Sequence, residues 1–89
     1  MTKNEGFSIS REVMKVQFKN GYYLFKLGKV LSDKNISLNK FSNDTNTDFK
    51  TIKKHCNGDI ILMDLALIDR WCDYLEVNSN DIYEYVSEK

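Results

Sequence analysis

The sequence contains no proline, only four glycines and a single histidine. Without proline, the ends of helices and strands must be marked by glycine, asparagine, aspartate and serine. The longest apolar run, Ile60 to Met63, has four residues, far short of the roughly 20 that a membrane-spanning helix needs. The amino-terminal residues also lack the apolar stretch of a secretory signal. These absences predict a cytoplasmic chain without a membrane segment.

Metal-binding and catalytic motifs are also absent from the sequence. Cys56 and Cys72 form no paired-cysteine motif, and His55 beside Cys56 supplies only part of the four-ligand set that zinc usually requires. Neighbouring residues on a helix point about 100° apart, so His55 and Cys56 do not form a nucleophile–base pair. The sequence has no glycine-rich phosphate loop and no paired-carboxylate motif. We therefore expect no metal, no cofactor and no enzymatic activity.

Charge is distributed unevenly along a chain whose 89 residues allow one domain and whose net charge is zero. Residues 1–58 contain eleven Lys or Arg and five Asp or Glu, whereas residues 59–89 contain two and eight. Such asymmetry indicates a basic working face for an anionic partner. It is equally compatible with a basic half that packs against an acidic half, within one chain or in a dimer.

The amino-terminal part of the chain is predicted to contain a β-hairpin. Residues 1–12 are polar and without a clear period, which predicts a flexible segment. From residue 13, Met14, Val16 and Phe18 alternate with polar residues, and a β-favouring run follows Asn20-Gly21. An Asn-Gly pair between alternating apolar residues predicts a hairpin over 13–26 with a type I′ turn. A two-stranded hairpin is marginal alone, so it must pack on helices or on a second copy.

From Leu27 the apolar spacing becomes helical, and capping residues divide the rest of the chain. A first helix stops near residues 33–35, a second begins after Ser37, and a third begins after Thr47 or Asp48 and ends at Asn57-Gly58. A fourth helix follows Asp64 with a wide apolar stripe, and a short fifth is predicted over 81–86. The predicted fold is mainly α, with a hairpin followed by five short helices.

Residues 27–58 resemble the Cro/cI-type helix-turn-helix family, which is also described as lambda-repressor-like or XRE-like. The residues that carry the resemblance are the junction Asn35-Ile36-Ser37, the pair Phe41-Ser42, the central Ile52 and the closing Asn57-Gly58. The tail from Ile68 to Val86 is similar to that of compact members. The chain departs from the family pattern in the turn, where Asn46 stands for the usual Gly and Thr47 for an Ile or Val. The resemblance implies a helix-turn-helix DNA-binding domain over 27–89.

The resemblance also implies a set of DNA contacts, centred on the third helix as the recognition helix. In the family pattern this helix enters the major groove. Phe49, Lys50 and Lys54 then face the groove, and Thr51 and Lys53 lie at its edges. Leu38 lies beside the DNA backbone, and Asn57 donates to a phosphate. Phe49 could instead be buried, and from the sequence the two positions remain equally open.

Two functional hypotheses follow from these residues. The first is a transcriptional regulator, a repressor that binds double-stranded DNA as a homodimer, because one short helix contacts too few base pairs for operator-level specificity. The hairpin at 13–26 is the expected dimer contact, and the last helix is the alternative. The second hypothesis is a protein-interaction module of the antirepressor or antitoxin type, in which Phe49 and Leu38 matter more than the lysines.

Overall fold

The computed structural model describes residues 12–59 and 62–89, so that most of the segment predicted to be flexible, residues 1–11, lies outside the described residues. A three-stranded antiparallel sheet has the order β1-β2-β3. Its strands are β1 (Met14–Gln17), β2 (Gly21–Phe25) and β3 (Tyr83–Ser87). The described residues between β2 and β3 contain four α-helices and one 3-10 turn, Ser79–Asp81. The helices are α1 (Leu27–Asp33), α2 (Leu38–Thr45), α3 (Phe49–Asn57) and α4 (Leu65–Leu75).

The predicted fifth helix, over residues 81–86, is wrong, because most of this segment forms strand β3. Tyr83 pairs with Phe25 and Tyr85 with Tyr23 in the antiparallel register of β2 and β3. The two tyrosines therefore lie on the same face of the sheet as their aromatic partners, since side chains alternate along a strand. Their ring centroids lie 5.2 Å and 5.1 Å from those of their partners. In a two-stranded hairpin, β2 would have one unpaired edge. Residues 83–87 favour β-structure and pair with that edge as the third strand.

The hairpin forms, but its turn differs from the predicted type I′ turn at Asn20-Gly21. Phe18 N–H donates to the Gly21 carbonyl at 2.8 Å, which places Lys19 and Asn20 at the tip. Neither Asn20 nor Gly21 has a positive φ, whereas a type I′ turn requires one at both central residues. Glycine is instead required at position 21 because atoms of β3 approach its Cα too closely to leave room for a side chain. A Cβ there would overlap the Val86 carbonyl oxygen and lie 2.6 Å from the Tyr85 hydroxyl.

The predicted helix ends are confirmed by hydrogen bonds of the capping side chains. Ser37 accepts from the N–H of Lys40, Asp48 from that of Thr51, and Asp64 caps α4 in the same way. Gly58 ends α3 with a φ of 77°, in the left-handed region that glycine enters without steric cost. These four signals are local in sequence, and each one fixes the end of a helix.

The hydrophobic core lies between the helices and one face of the sheet. Its fully buried side chains come from β2, all four helices and the residue before β3, and the largest are Trp71, Phe25, Phe41, Leu27, Leu31, Ile52 and Ile82. Met14, Val16 and Tyr23 pack against this cluster from the sheet. None of the helices in the described residues combines the length and the apolar character needed to cross a membrane.

Candidate nucleic-acid interface

Helices α2 and α3 are joined by a tight turn of three residues, 46–48. Asn46 adopts the left-handed conformation, with φ 52° and ψ 48°, which asparagine tolerates better than most residues. Thr47 N–H donates to the Ser42 carbonyl at 3.0 Å, and Asp48 then caps α3. The geometry that a glycine usually supplies in such a turn is thus reached with Asn46.

Helix α3 has one buried face and one solvent-exposed face. Ile52 and Cys56, four residues apart, are fully buried and anchor the helix to the core. Lys50 and Lys54, also four residues apart, are exposed on a different side of the helix. Because residues at this spacing are neighbours on a helix surface, the two ammonium groups belong to one exposed ridge. Among the described residues, neither lysine forms an ion pair.

The other residues predicted to touch DNA lie at the border between the exposed and the buried face. Thr51, Lys53 and Asn57 are half-buried on α3. Phe49 is also half-buried, so it is neither fully in the core nor fully exposed to solvent. Leu38 begins α2 and packs against the core. The structure therefore brings six of the seven predicted residues together on α3 and places Leu38 at the start of the preceding helix.

Acidic groups near α3 are held by hydrogen bonds. The pKa of the Asp48 carboxyl is lowered chiefly because it accepts the backbone N–H of Thr51. The pKa of Asp44 on α2 is lowered mainly by a hydrogen bond from the Tyr74 hydroxyl, at 2.6 Å, and then by Lys40. The Nζ atom of Lys40 lies 3.0 Å from Oδ2 of Asp44. Lys40 is thus engaged, whereas Lys50 and Lys54 are available to an anionic ligand.

Two groups beside α3 did not enter the predicted site. Arg70 on α4 is exposed and shares a surface depression with Asn46, Asp48 and Thr51. The signal that could have identified it is its position as the first basic residue in an otherwise acidic half of the chain. His55 is buried, and its Nδ1 is hydrogen-bonded to the Tyr83 hydroxyl. Burial lowers the pKa of His55 to about 4, and the carboxylate of Asp64 offsets part of this effect.

A metal ion in a protein requires a set of ligand side chains that lie close together. In residues 12–59 and 62–89, no three His, Cys, Asp or Glu side chains come together as a potential metal site. The thiol of Cys56 is fully buried in the core, and Cys72 is half-buried on α4. The polar groups of the surface around α3 are lysines, an arginine, amide and hydroxyl groups and the carboxylates of Asp48 and Asp64.

Comparison with known proteins identifies a family and a solved structure of similar fold. Residues 26–88 match the model of the Cro/C1-type HTH DNA-binding domain. The crystal structure of the transcriptional regulator VanUg is similar to this chain with a TM-score of 0.61 and 22% sequence identity, over 82% of this chain and 96% of that one. No curated protein matches this chain. At that identity the similarity to the VanUg structure supports the fold alone.

Proposed function

The chain belongs to the Cro/C1-type helix-turn-helix DNA-binding family, and on that premise we propose that it is a transcriptional regulator that reads the major groove with α3. The observation that carries this proposal is the exposed ridge of Lys50 and Lys54, held outward because Ile52 and Cys56 anchor the helix to the core. A ridge of two exposed cations on a rigid helix can reach base edges and phosphates at once.

Each side chain of α3 is assigned a role by its exposure. Lys50 and Lys54 donate to guanine O6 and N7 or to phosphates, because both are exposed, Lys50 in the first turn of α3 and Lys54 one turn further along. Phe49, which is half-buried at the start of α3, contacts a thymine methyl group. Thr51, Lys53 and Asn57 flank the groove and contact the phosphate backbone. Leu38 orients the amino terminus of α2 by packing on the core, close to where the DNA backbone would pass.

We further propose that the protein acts as a repressor and binds as a homodimer. A single recognition helix contacts a few base pairs, and a two-fold dimer doubles the number read. The sheet offers two outer strands, β1 and β3, whose outer edges are not paired with any strand that the structure describes. The first candidate for the dimer contact is β1, which is part of the hairpin predicted to form it. The alternative is β3, which the structure has in place of the predicted last helix.

DNA binding is tested by fluorescence anisotropy with a mixed-sequence duplex, titrated at about 50 mM and about 200 mM salt. We expect binding that weakens steeply between the two salt concentrations. The double substitution Lys50→Ala/Lys54→Ala should weaken binding at least about tenfold. It should also reduce the slope of log affinity against log salt by about one for each lysine that no longer contacts a phosphate, which is about two per protomer and about four for a bound dimer.

The matched control is Lys29→Ala/Lys34→Ala, which removes the same charge from exposed positions on and directly after α1, outside both α3 and the hairpin. This variant should lose little affinity, and both double variants should keep the wild-type melting temperature. Equal losses in the two variants would show that net charge alone drives binding and that α3 is not the reading helix.

A second candidate function is a protein-interaction module with weak or no DNA binding. It is favoured by the exposure of two apolar side chains just before and at the start of α4, Leu62 and Leu65, which are 86% and 78% accessible. The same anisotropy measurement distinguishes the two functions, because the absence of wild-type binding at low salt would favour the module.

A further inference from the structure

The side chain of Trp71 on α4 contacts every part of the helix-turn-helix unit. It is fully buried, and its ring lies 5.4 Å from that of Phe41 on α2 and 4.8 Å from that of His55 on α3, measured between centroids. Its Nε1–H donates to the hydroxyl oxygen of Thr47, in the turn, at 3.2 Å. One side chain therefore joins α2, the turn and α3 from behind.

The hydrogen bonds around Thr47 run in one direction. The Thr45 hydroxyl donates to the Phe41 carbonyl at 2.6 Å, so its hydrogen is used. The single hydrogen of the Thr47 hydroxyl therefore points toward Thr45, where the carbonyl lies at 3.1 Å and the hydroxyl oxygen at 3.0 Å. The indole of Trp71 can only donate, and Thr47 is its acceptor. The relay runs from Trp71 through Thr47 toward Thr45.

The backbone of Thr47 is fixed as firmly as its side chain. Its N–H donates to the Ser42 carbonyl at 3.0 Å, and its own carbonyl accepts the Ser42 hydroxyl at 2.5 Å. The backbone N–H, the backbone carbonyl and the hydroxyl of this residue are thus all engaged. Thr47 directly precedes Asp48, the capping residue of α3. Whatever fixes Thr47 also fixes the direction in which α3 leaves the turn.

The carboxyl-terminal half of α3 is held from behind by a second contact. His55 is buried, stacks edge-on against the Trp71 ring, and is hydrogen-bonded to Tyr83 of β3. Trp71 therefore contacts Thr47, two residues before α3 begins, and His55, near the carboxyl-terminal end of α3. A rigid helix that is held at two points has little freedom to tilt relative to the sheet.

We infer that Thr47 and Trp71 are positioning residues for DNA recognition, whose hydrogen bond sets the angle at which α3 presents Lys50 and Lys54 to the groove. The inference rests on the proposed function. It assigns a role to Thr47, the residue where the family pattern has an Ile or Val, and to Trp71, which is fully buried on α4. An aliphatic residue at position 47 would leave the indole N–H without its acceptor.

The test separates sequence discrimination from affinity and stability. A preferred duplex is first selected from a random library with the wild-type protein, and dissociation constants are then measured for the selected and the mixed-sequence duplex. Thr47→Val is close in shape but lacks the hydroxyl, and Thr47→Ser is the matched control that keeps it. All measurements are made well below the lowest melting temperature, so that each variant is fully folded.

We expect Thr47→Val to reduce the ratio of the two dissociation constants about tenfold, within the range for loss of one good base contact. Its affinity for the mixed duplex should stay within about twofold of wild type, because phosphate contacts tolerate a small tilt. Thr47→Ser should keep the wild-type ratio. The double variant Thr47→Val/Trp71→Phe has no indole N–H that could be left unsatisfied. We expect its ratio of dissociation constants to stay as low as in Thr47→Val, because the hydrogen bond that positions α3 is still missing. If the hydrogen bond only stabilised the fold, removing the unsatisfied N–H would restore the ratio.

Three results would overturn the inference, and they can be told apart. Wild-type discrimination in Thr47→Val would overturn the positioning role alone. Recovery of discrimination in the double variant would show that the loss comes from the unsatisfied indole and not from helix placement. A wild-type protein that binds neither duplex at low salt would overturn the proposed function and the inference with it.

Discussion

The burial of His55 predicts that the protein loses stability as the pH falls below neutrality. His55 is the single histidine of the chain, and folding lowers its pKa from the ordinary value of 6.5 to about 4. In the folded protein the neutral ring is favoured, because the charged ring would be desolvated among Trp71, Tyr83 and the core. The unfolded chain takes up a proton at a higher pH than the folded protein does.

The magnitude follows from linkage between protonation and folding. As the pH is lowered, the free energy of unfolding falls wherever the unfolded state binds more protons than the folded state. For His55 this interval lies between pH 6.5 and pH 4. Between pH 7 and pH 5 the free energy of unfolding should drop by about 1 to 2 kcal/mol, and below pH 4 this contribution levels off. The carboxylate of Asp64 opposes the shift and limits the loss.

Urea denaturation at pH 7 and pH 5 measures this change, with His55→Gln as the matched control. The variant removes the titrating group and keeps a side chain able to hydrogen-bond the Tyr83 hydroxyl, so its free energy of unfolding should be nearly constant over the same interval. Carboxylates titrate mostly below pH 5, so they contribute little. A wild-type protein and variant that lose stability in parallel would refute the argument that buried His55 is the cause.

Two further predictions concern the ends of α3. Gly58→Ala should destabilise the fold by about 1 to 2 kcal/mol, because the residue has a φ of 77° and an added Cβ would lie 2.7 Å from Cγ2 of Val16. Asn46 is also in the left-handed region. Its replacement by glycine should leave the free energy of unfolding within about 0.5 kcal/mol of wild type in the same urea measurement. Asp48→Ala should cost about 1 kcal/mol through loss of the cap, whereas Asp48→Asn should retain most of that stability. Both Asp48 variants should bind the mixed duplex more tightly at low salt, since a carboxylate beside Lys50 is removed, and unchanged affinity would contradict the placement of α3 on DNA.

Features that depend on neighbouring residues could be predicted from the sequence. Ser37, Asp48 and Asp64 cap their helices through hydrogen bonds that span two or three residues, and Gly58 ends α3 by its own backbone freedom. The family resemblance is likewise carried by local spacing, and the match over residues 26–88 confirms it. The DNA contacts assigned to α3 stay predictions.

Features that depend on distant residues could not be predicted in this way. The apolar residues of 81–86 suit a short helix or a strand, and pairing with β2 decides in favour of β3. The Asn20-Gly21 signal was overridden because Gly21 must admit Tyr85 and Val86 of that same strand. The hydrogen bond between Trp71 and Thr47 joins two polar groups within a core, and no spacing rule connects them.

The position of β3 has a consequence for how the protein is made. Its partner β2 is synthesised before the helices, whereas Tyr83 to Ser87 follow all of them. During synthesis, the hairpin and the emerging α2 and α3 lack the strand that supports His55 and closes the core. Pairing across such a long stretch of chain is slow and entropically costly. We expect the nascent chain to acquire a fixed α3 only after residues 83–87 have left the ribosome, so that incomplete or clipped chains do not compete with the folded protein for DNA.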